Sequence, residues 1–99
     1  MPQGPFQTTV LSVANKSALD ITTATVVKAS NGFVVRVSVI VAGSTVGTVN
    51  DAATTGAAAV ANEIAAIPNT VGTYAIEFPF ANGLVIVPGT GQTVSVSYS

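Results

Sequence analysis

From Phe33 to Val41 the chain alternates, with Phe33, Val35, Val37, Val39 and Val41 interleaved with Val34, Arg36, Ser38, Ile40 and Ala42. A period of two sends the sets to opposite faces, which predicts a strand buried on its valine side. A second β-branched run, Thr23 to Ala29, precedes it, and Ser30-Asn31-Gly32 between them predicts a hairpin. A two-residue Asn-Gly loop would pair Ser30 with Phe33 and place Lys28 on the valine face. A three-residue loop pairs Ala29 with Phe33, which sets Thr25, Val27 and Ala29 beside the valines and Lys28 beside Arg36 outside. A slip of one residue flips every side chain, so burial of the valines selects the longer loop. Gly32 then takes the left-handed position of a G1 bulge. Lys28 and Arg36 read as solvated markers of the outer face.

Thr45 to Val49 predicts a third short strand after the Ala42-Gly43-Ser44 turn. Then the pattern changes. From Ala52 to Ala66 alanine dominates, and Val60, Ile64 and Ile67 recur at i, i+4 and i+7, the stripe of an amphipathic helix. Asp51 is its candidate N-cap, with Thr54 and Thr55 as alternatives, and Pro68 ends it. Gly56 weakens the first turn by about 1 kcal/mol relative to Ala. Further on, Tyr74, Ile76 and Phe78 alternate with Ala75 and Glu77. Ala81-Asn82-Gly83 turns the chain into Leu84 to Val87. Pro88 to Gln92 turns it again, and Val94, Val96 and Tyr98 alternate with serines. The tripeptide Val-Gly-Thr occurs at 46–48 and 71–73 and is too short to define a repeat.

These elements predict a mainly β fold over residues 21–99, a β-sandwich or jelly-roll-like domain of about 6–8 short strands with one short Ala-rich helix over an open edge or end. Residues 1–20 form an N-terminal arm or extended segment. Within it Gln7 to Ala14 has strand character, and the segment is either a mobile terminus or an arm that completes a neighbour's sheet edge. Phe6, Thr8, Val10 and Leu11 are the candidate interface residues of such an arm.

Composition moves the picture from chemistry toward assembly. Only three cations and four acids occur in 99 residues, while 48% are hydrophobic; an ordinary soluble domain is about a quarter charged. A monomer so poor in charge presents a neutral, partly apolar surface that favours association, so a homo-oligomer, trimer or dimer, is expected. Three scattered cations give no footprint for nucleic acid. The first residues, Met-Pro-Gln-Gly-Pro-Phe, lack the basic and apolar regions of a signal peptide, and no run is long enough to span a membrane. Synthesis in the cytoplasm is expected.

Cysteine and histidine are both absent, which removes disulfides, thiolate metal sites and the commonest general base. The acids Asp20, Asp51, Glu63 and Glu77 are dispersed, with Asp51 and Glu63 at opposite ends of the expected helix. No catalytic, cofactor-binding or metal residues are expected, and the chain does not read as an enzyme. Gly89-Thr90-Gly91 lacks the lysine and following helix of a phosphate loop and reads as a turn. Asn50, Asp51 and Thr54 supply too few carboxylates for a cation site. Tyr74, Phe78, Phe80 and Tyr98 fall on apolar strand faces and read as core.

Residues 28 to 99 carry, in order, KASNGFVVRVSVIVAG, GTVNDAATTGAAAVANEIAAIP and NTVGTYAIEFPFANGLVIVPGTGQTVSVSY. In this stretch the chain resembles a group of small proteins encoded among the virion genes of tailed bacteriophages. The most specific parts are the Gly-Thr-x-x-Asp step at Gly47 to Asp51 and the ending NGLVIVPGTGQTVSVSY. The resemblance implies a β-sandwich virion protein located on the capsid surface. It implies a capsid decoration (cement) protein whose partner is the major capsid protein, or alternatively a head-fibre or tail-associated binding module. It brings no catalytic residues, and residues 1 to 20 fall outside it.

Overall fold

A computed structural model describes residues 15–99. The chain is mainly β and forms two antiparallel four-stranded sheets. In chain order the strands are β1 (Lys16–Ile21), β2 (Thr25–Lys28), β3 (Gly32–Val41), β4 (Gly47–Asp51), β5 (Glu63–Ile67), β6 (Gly72–Phe80), β7 (Leu84–Val87) and β8 (Thr93–Tyr98). The first sheet has the order β1-β8-β3-β6 and the second β2-β7-β4-β5. β1 lies on both sides of the boundary drawn between residues 20 and 21. Ile21, Val34, Val37, Val39, Val94, Val96 and Phe80 of the first sheet join Val49, Ile67, Leu84 and Ile86 of the second in one buried cluster.

The expected β2–β3 hairpin does not form. β2 pairs with β7 and β3 with β6 and β8, so Ser30-Asn31 carries the chain from one sheet to the other. Gly32 is not in the left-handed region; only Gly72 and Gly91 among the described glycines have positive φ. Its small size matters because a Cβ there meets the Ser99 carbonyl and the Phe80 ring. Phe33 and Ser99 exchange backbone hydrogen bonds of 3.2 and 2.9 Å beside it.

The buried face of β3 also differs from the simple alternation. Val34 pairs with Phe78 and Tyr98, whereas Arg36 pairs with Ala75 and Ser97. Between these rungs β3 advances two residues, β8 one and β6 three, so bulges interrupt both ladders. The phase reverses at Val35. Val34, Val37 and Val39 enter the core together, while Phe33 is half-buried and Val41 is exposed. The matching bulge in β6 holds Glu77 at φ 52, a left-handed value unusual for a side-chain-bearing residue.

The alanine-rich helix is absent. Residues 55–57 and 60–62 form two single 3₁₀ turns, and Glu63–Ile67 is strand β5. A short helix needs a face to bury, and Val60, the centre of the stripe, is 88% exposed. Pairing with β4 offers residues 63–67 a ladder instead, Gly47 to Ile67, Thr48 to Ala66 and Val49 to Ala65, and buries Ile67. Gly56 and the β-branched Thr54, Thr55 and Val60 weaken the helical alternative further. Asn62 Nδ2 donates to the Ala57 carbonyl at 2.6 Å and ties the two turns together.

Candidate functional site

Loss of the helix brings together residues that a helix would have separated. Asp51 ends β4 and Glu63 begins β5, and both line one groove of about 230 Å³ with Ala61, Asn62, Ile64, Phe78 and Asn82. Asp51 is fixed rather than free. Its Oδ2 accepts the Ala81 N–H at 2.9 Å, and Oδ1 accepts those of Asn82 at 2.8 Å and Gly83 at 3.4 Å. Burial alone would raise its pKa, but these N–H groups and the Asn82 side chain hold it below its ordinary value. The residue expected to cap a helix therefore caps the turn between β6 and β7. A carboxylate committed in this way is poorly suited to donate a proton. Phe78 is 49% exposed at the groove and does not belong to the core, whereas Phe80 is buried and Tyr74 and Tyr98 pack against the core.

The far end of β4 is chemically different. The β3–β4 loop packs on the β7–β8 turn, with Ser44 N–H donating to the Thr90 carbonyl and Thr90 N–H to Thr45 Oγ1, both at 2.9 Å. Gln92, 1% exposed, joins a third segment: its Nε2 donates to the Pro68 carbonyl at 2.8 Å and its Oε1 accepts the Gly89 N–H at 2.9 Å. A Cβ on Gly43, Gly47 or Gly89 would strike backbone of a neighbouring segment, so glycine allows this close stacking. The N–H groups of Gly89 and Thr90 are thus spent inside the protein, as a turn requires and a phosphate loop forbids. Ile40, Val41, Val46 and Val71 surround this end and are all exposed. Val46 and Val71 begin the two Val-Gly-Thr tripeptides, whose glycines start β4 and β6.

On the face of the first sheet turned from the core, Ser17, Ser38, Thr73, Ser95 and Ser97 surround Arg36 along a second shallow groove of about 230 Å³. Ser38 and Thr73 share a 3.1 Å hydroxyl contact, and Ser97 Oγ accepts the Arg36 N–H at 3.2 Å. Arg36 is exposed as expected for an outer-face marker, while Lys28 is half-buried.

The proposed interface residues Phe6, Thr8, Val10 and Leu11, and the strand expected over Gln7 to Ala14, lie outside the described residues. Asp20 sits in a β1 bulge at φ 57, and both Asp20 and Glu77 are exposed, apart from the Asp51–Glu63 groove. The Asn50 side chain is buried and donates to Thr48 Oγ1 at 2.9 Å and the Val85 carbonyl at 3.3 Å. Among the described residues no group of three or more acids forms a metal cluster, and no helix is long and apolar enough to cross a membrane. No protein-family model matches the chain, and neither curated proteins nor solved structures show a significant match.

Proposed function

We propose that the two sheets stack as a β-sandwich with jelly-roll connectivity, and that the protein is a non-catalytic bacteriophage virion component. In this reading it is a capsid decoration (cement) protein that binds the major capsid protein as a homo-oligomer, a trimer or dimer. The observation that carries the reading is a set of exposed, uncharged apolar residues at one end, Ile40 and Val41 on β3, Val46 in the β3–β4 loop and Val71 just before β6, beside loops that glycine lets stack closely. Apolar groups held on a rigid frame dock at low entropic cost, and a neutral surface loses little solvation on burial. A ligand that binds only the assembled lattice stabilises it by RT ln(1 + [L]/Kd) per site, about 2.7 kcal/mol when its concentration is 100 times Kd. Repetition over a particle lets modest single contacts suffice.

The test mixes purified protein with phage heads that lack it, sediments the heads, and images the pellet by cryo-electron microscopy. Density at regular lattice positions is expected for the wild type and lost for Val46→Asp/Val71→Asp. Phe6→Asp/Val10→Asp tests the arm separately: unchanged occupancy removes the arm from the interface. Wild-type protein left in the supernatant overturns the decoration role and transfers the reading to a head-fibre or tail-associated module.

A further inference from the structure

The groove between Asp51 and Phe78 has features that packing does not require. Phe78 is an aromatic ring left half in water on an edge strand. The residue before it, Glu77, takes a left-handed conformation at φ 52, which costs a side-chain-bearing residue about 1–2 kcal/mol. Such strained bulges re-aim side chains and recur beside functional sites. Pro79, without an N–H, and the bulge itself make this edge a poor template for another strand. The face of Phe78 is thereby left free for something other than a β-strand.

The polar groups around the ring are fixed in advance. Asp51 is clamped by three backbone N–H groups, and Asn62 is anchored through Nδ2 to the Ala57 carbonyl, which leaves its Oδ1 as an acceptor. Glu63 adds a second carboxylate and Asn82 an amide. This set is rich in acceptors and repels anions, so it favours a ligand without negative charge that offers several hydrogen-bond donors, as a polyol does. One face of that ligand must also be apolar enough to lie on an aromatic ring. A pyranose meets all these conditions. The groove is smaller than the 300–1,000 Å³ of drug-sized sites, a size suited to one sugar ring with its neighbours in solvent.

We propose that this groove is a binding site for neutral saccharides, with Phe78 as the stacking platform and Asn62, Glu63 and Asn82 as hydrogen-bonding partners. The site is separate from the apolar end, so it stands or falls independently of capsid docking.

The test is a ¹H–¹⁵N NMR titration of the full chain with maltotriose, cellotriose and chitotriose, each to about 10 mM, the weak end of specific recognition. At least one sugar is expected to give saturable shifts confined to residues around 61–64, 78 and 82. Phe78→Ala should weaken that binding at least tenfold, and Glu63→Ala should weaken it severalfold. Glu63 is exposed, so its variant tests the site even where Phe78→Ala perturbs the fold, which the amide spectrum reveals directly. Absence of saturable shifts with all three sugars overturns the proposal. So do shifts centred elsewhere, unchanged affinity in both variants, or a groove that responds to Ca²⁺ and not to any sugar.

Discussion

Replacing Asp51 by Asn tests whether one carboxylate holds the β6–β7 turn. Asp51 Oδ2 serves Ala81 and Oδ1 serves Asn82 and Gly83. Asparagine keeps one oxygen, so its NH₂ must face an N–H that the carboxylate had satisfied. One charge-assisted bond is lost outright and the others lose their charge. Bonds to charged groups contribute about 1.5–3 kcal/mol each, and water reaches this half-buried site, so the expected cost is about 2 kcal/mol. For a chain of this size that corresponds to a Tm lower by about 8–16 °C. The cost must also depend on pH. The Asp51 pKa is lower in the fold than its ordinary value of 3.8, so the unfolded chain binds the proton more readily. Its contribution is complete above about 3.8 and is lost as pH falls through the folded value. Urea unfolding followed by circular dichroism at pH 7 and at successively lower pH reads both effects. Equal stability of the two proteins at pH 7, or a difference that persists in acid, would refute the assignment.

Four other substitutions probe separate parts of the frame. Gln92→Leu strands the buried Gly89 N–H and removes the partner of the part-buried Pro68 carbonyl, and should cost about 1–3 kcal/mol in urea unfolding; a loss below about 0.5 kcal/mol would show that the clasp is dispensable. Gly89→Ala drives a methyl into the Thr45 backbone and should lower Tm sharply, whereas Gly56→Ala meets nothing within 4 Å and should leave it unchanged or slightly raised. Glu77→Gly relieves the left-handed strain and should raise stability by about 0.5–1 kcal/mol, measured by the same denaturation; a fall would mean that the carboxylate makes a contact worth more than the strain.

Strands with one buried face announced themselves in the sequence. The alternations over Val94 to Tyr98 and Tyr74 to Ile76 reappear as inward-facing residues of β8 and β6. Their partners did not, because period two fixes which face a residue takes but not which strand lies beside it. The Ser30-Asn31-Gly32 turn looks alike whether it closes a hairpin or crosses between sheets. The alanine segment misled for a related reason: Val60, Ile64 and Ile67 suit a helix, but only a β4 edge, invisible locally, decides that Glu63 to Ile67 pairs as a strand. The groove followed from that error. Glu63 pairs with Asn50, next to Asp51, so reading the segment as a helix placed the two acids apart. Phe78 was hidden by its own alternation, since it shares a rung with buried Val34 yet lies on the sheet's edge.

The placement of β8 between β1 and β3 governs how the molecule can be made. Lys16 pairs with Tyr98, and Val34 with Tyr98 as well, so the first sheet joins segments from opposite ends of the described chain. Every such pairing must close a long loop before it gains any contact, and the entropy of that closure falls on the transition state. Folding on a scale of milliseconds to seconds follows from this topology. Until β8 docks, β1 has no partner among the described strands and β3 lacks one of its two, leaving the valine-rich edge of β3 open to other copies. A chain accumulating at high concentration during a burst of synthesis therefore races its own folding against aggregation, and slower, cooler expression favours the folded product.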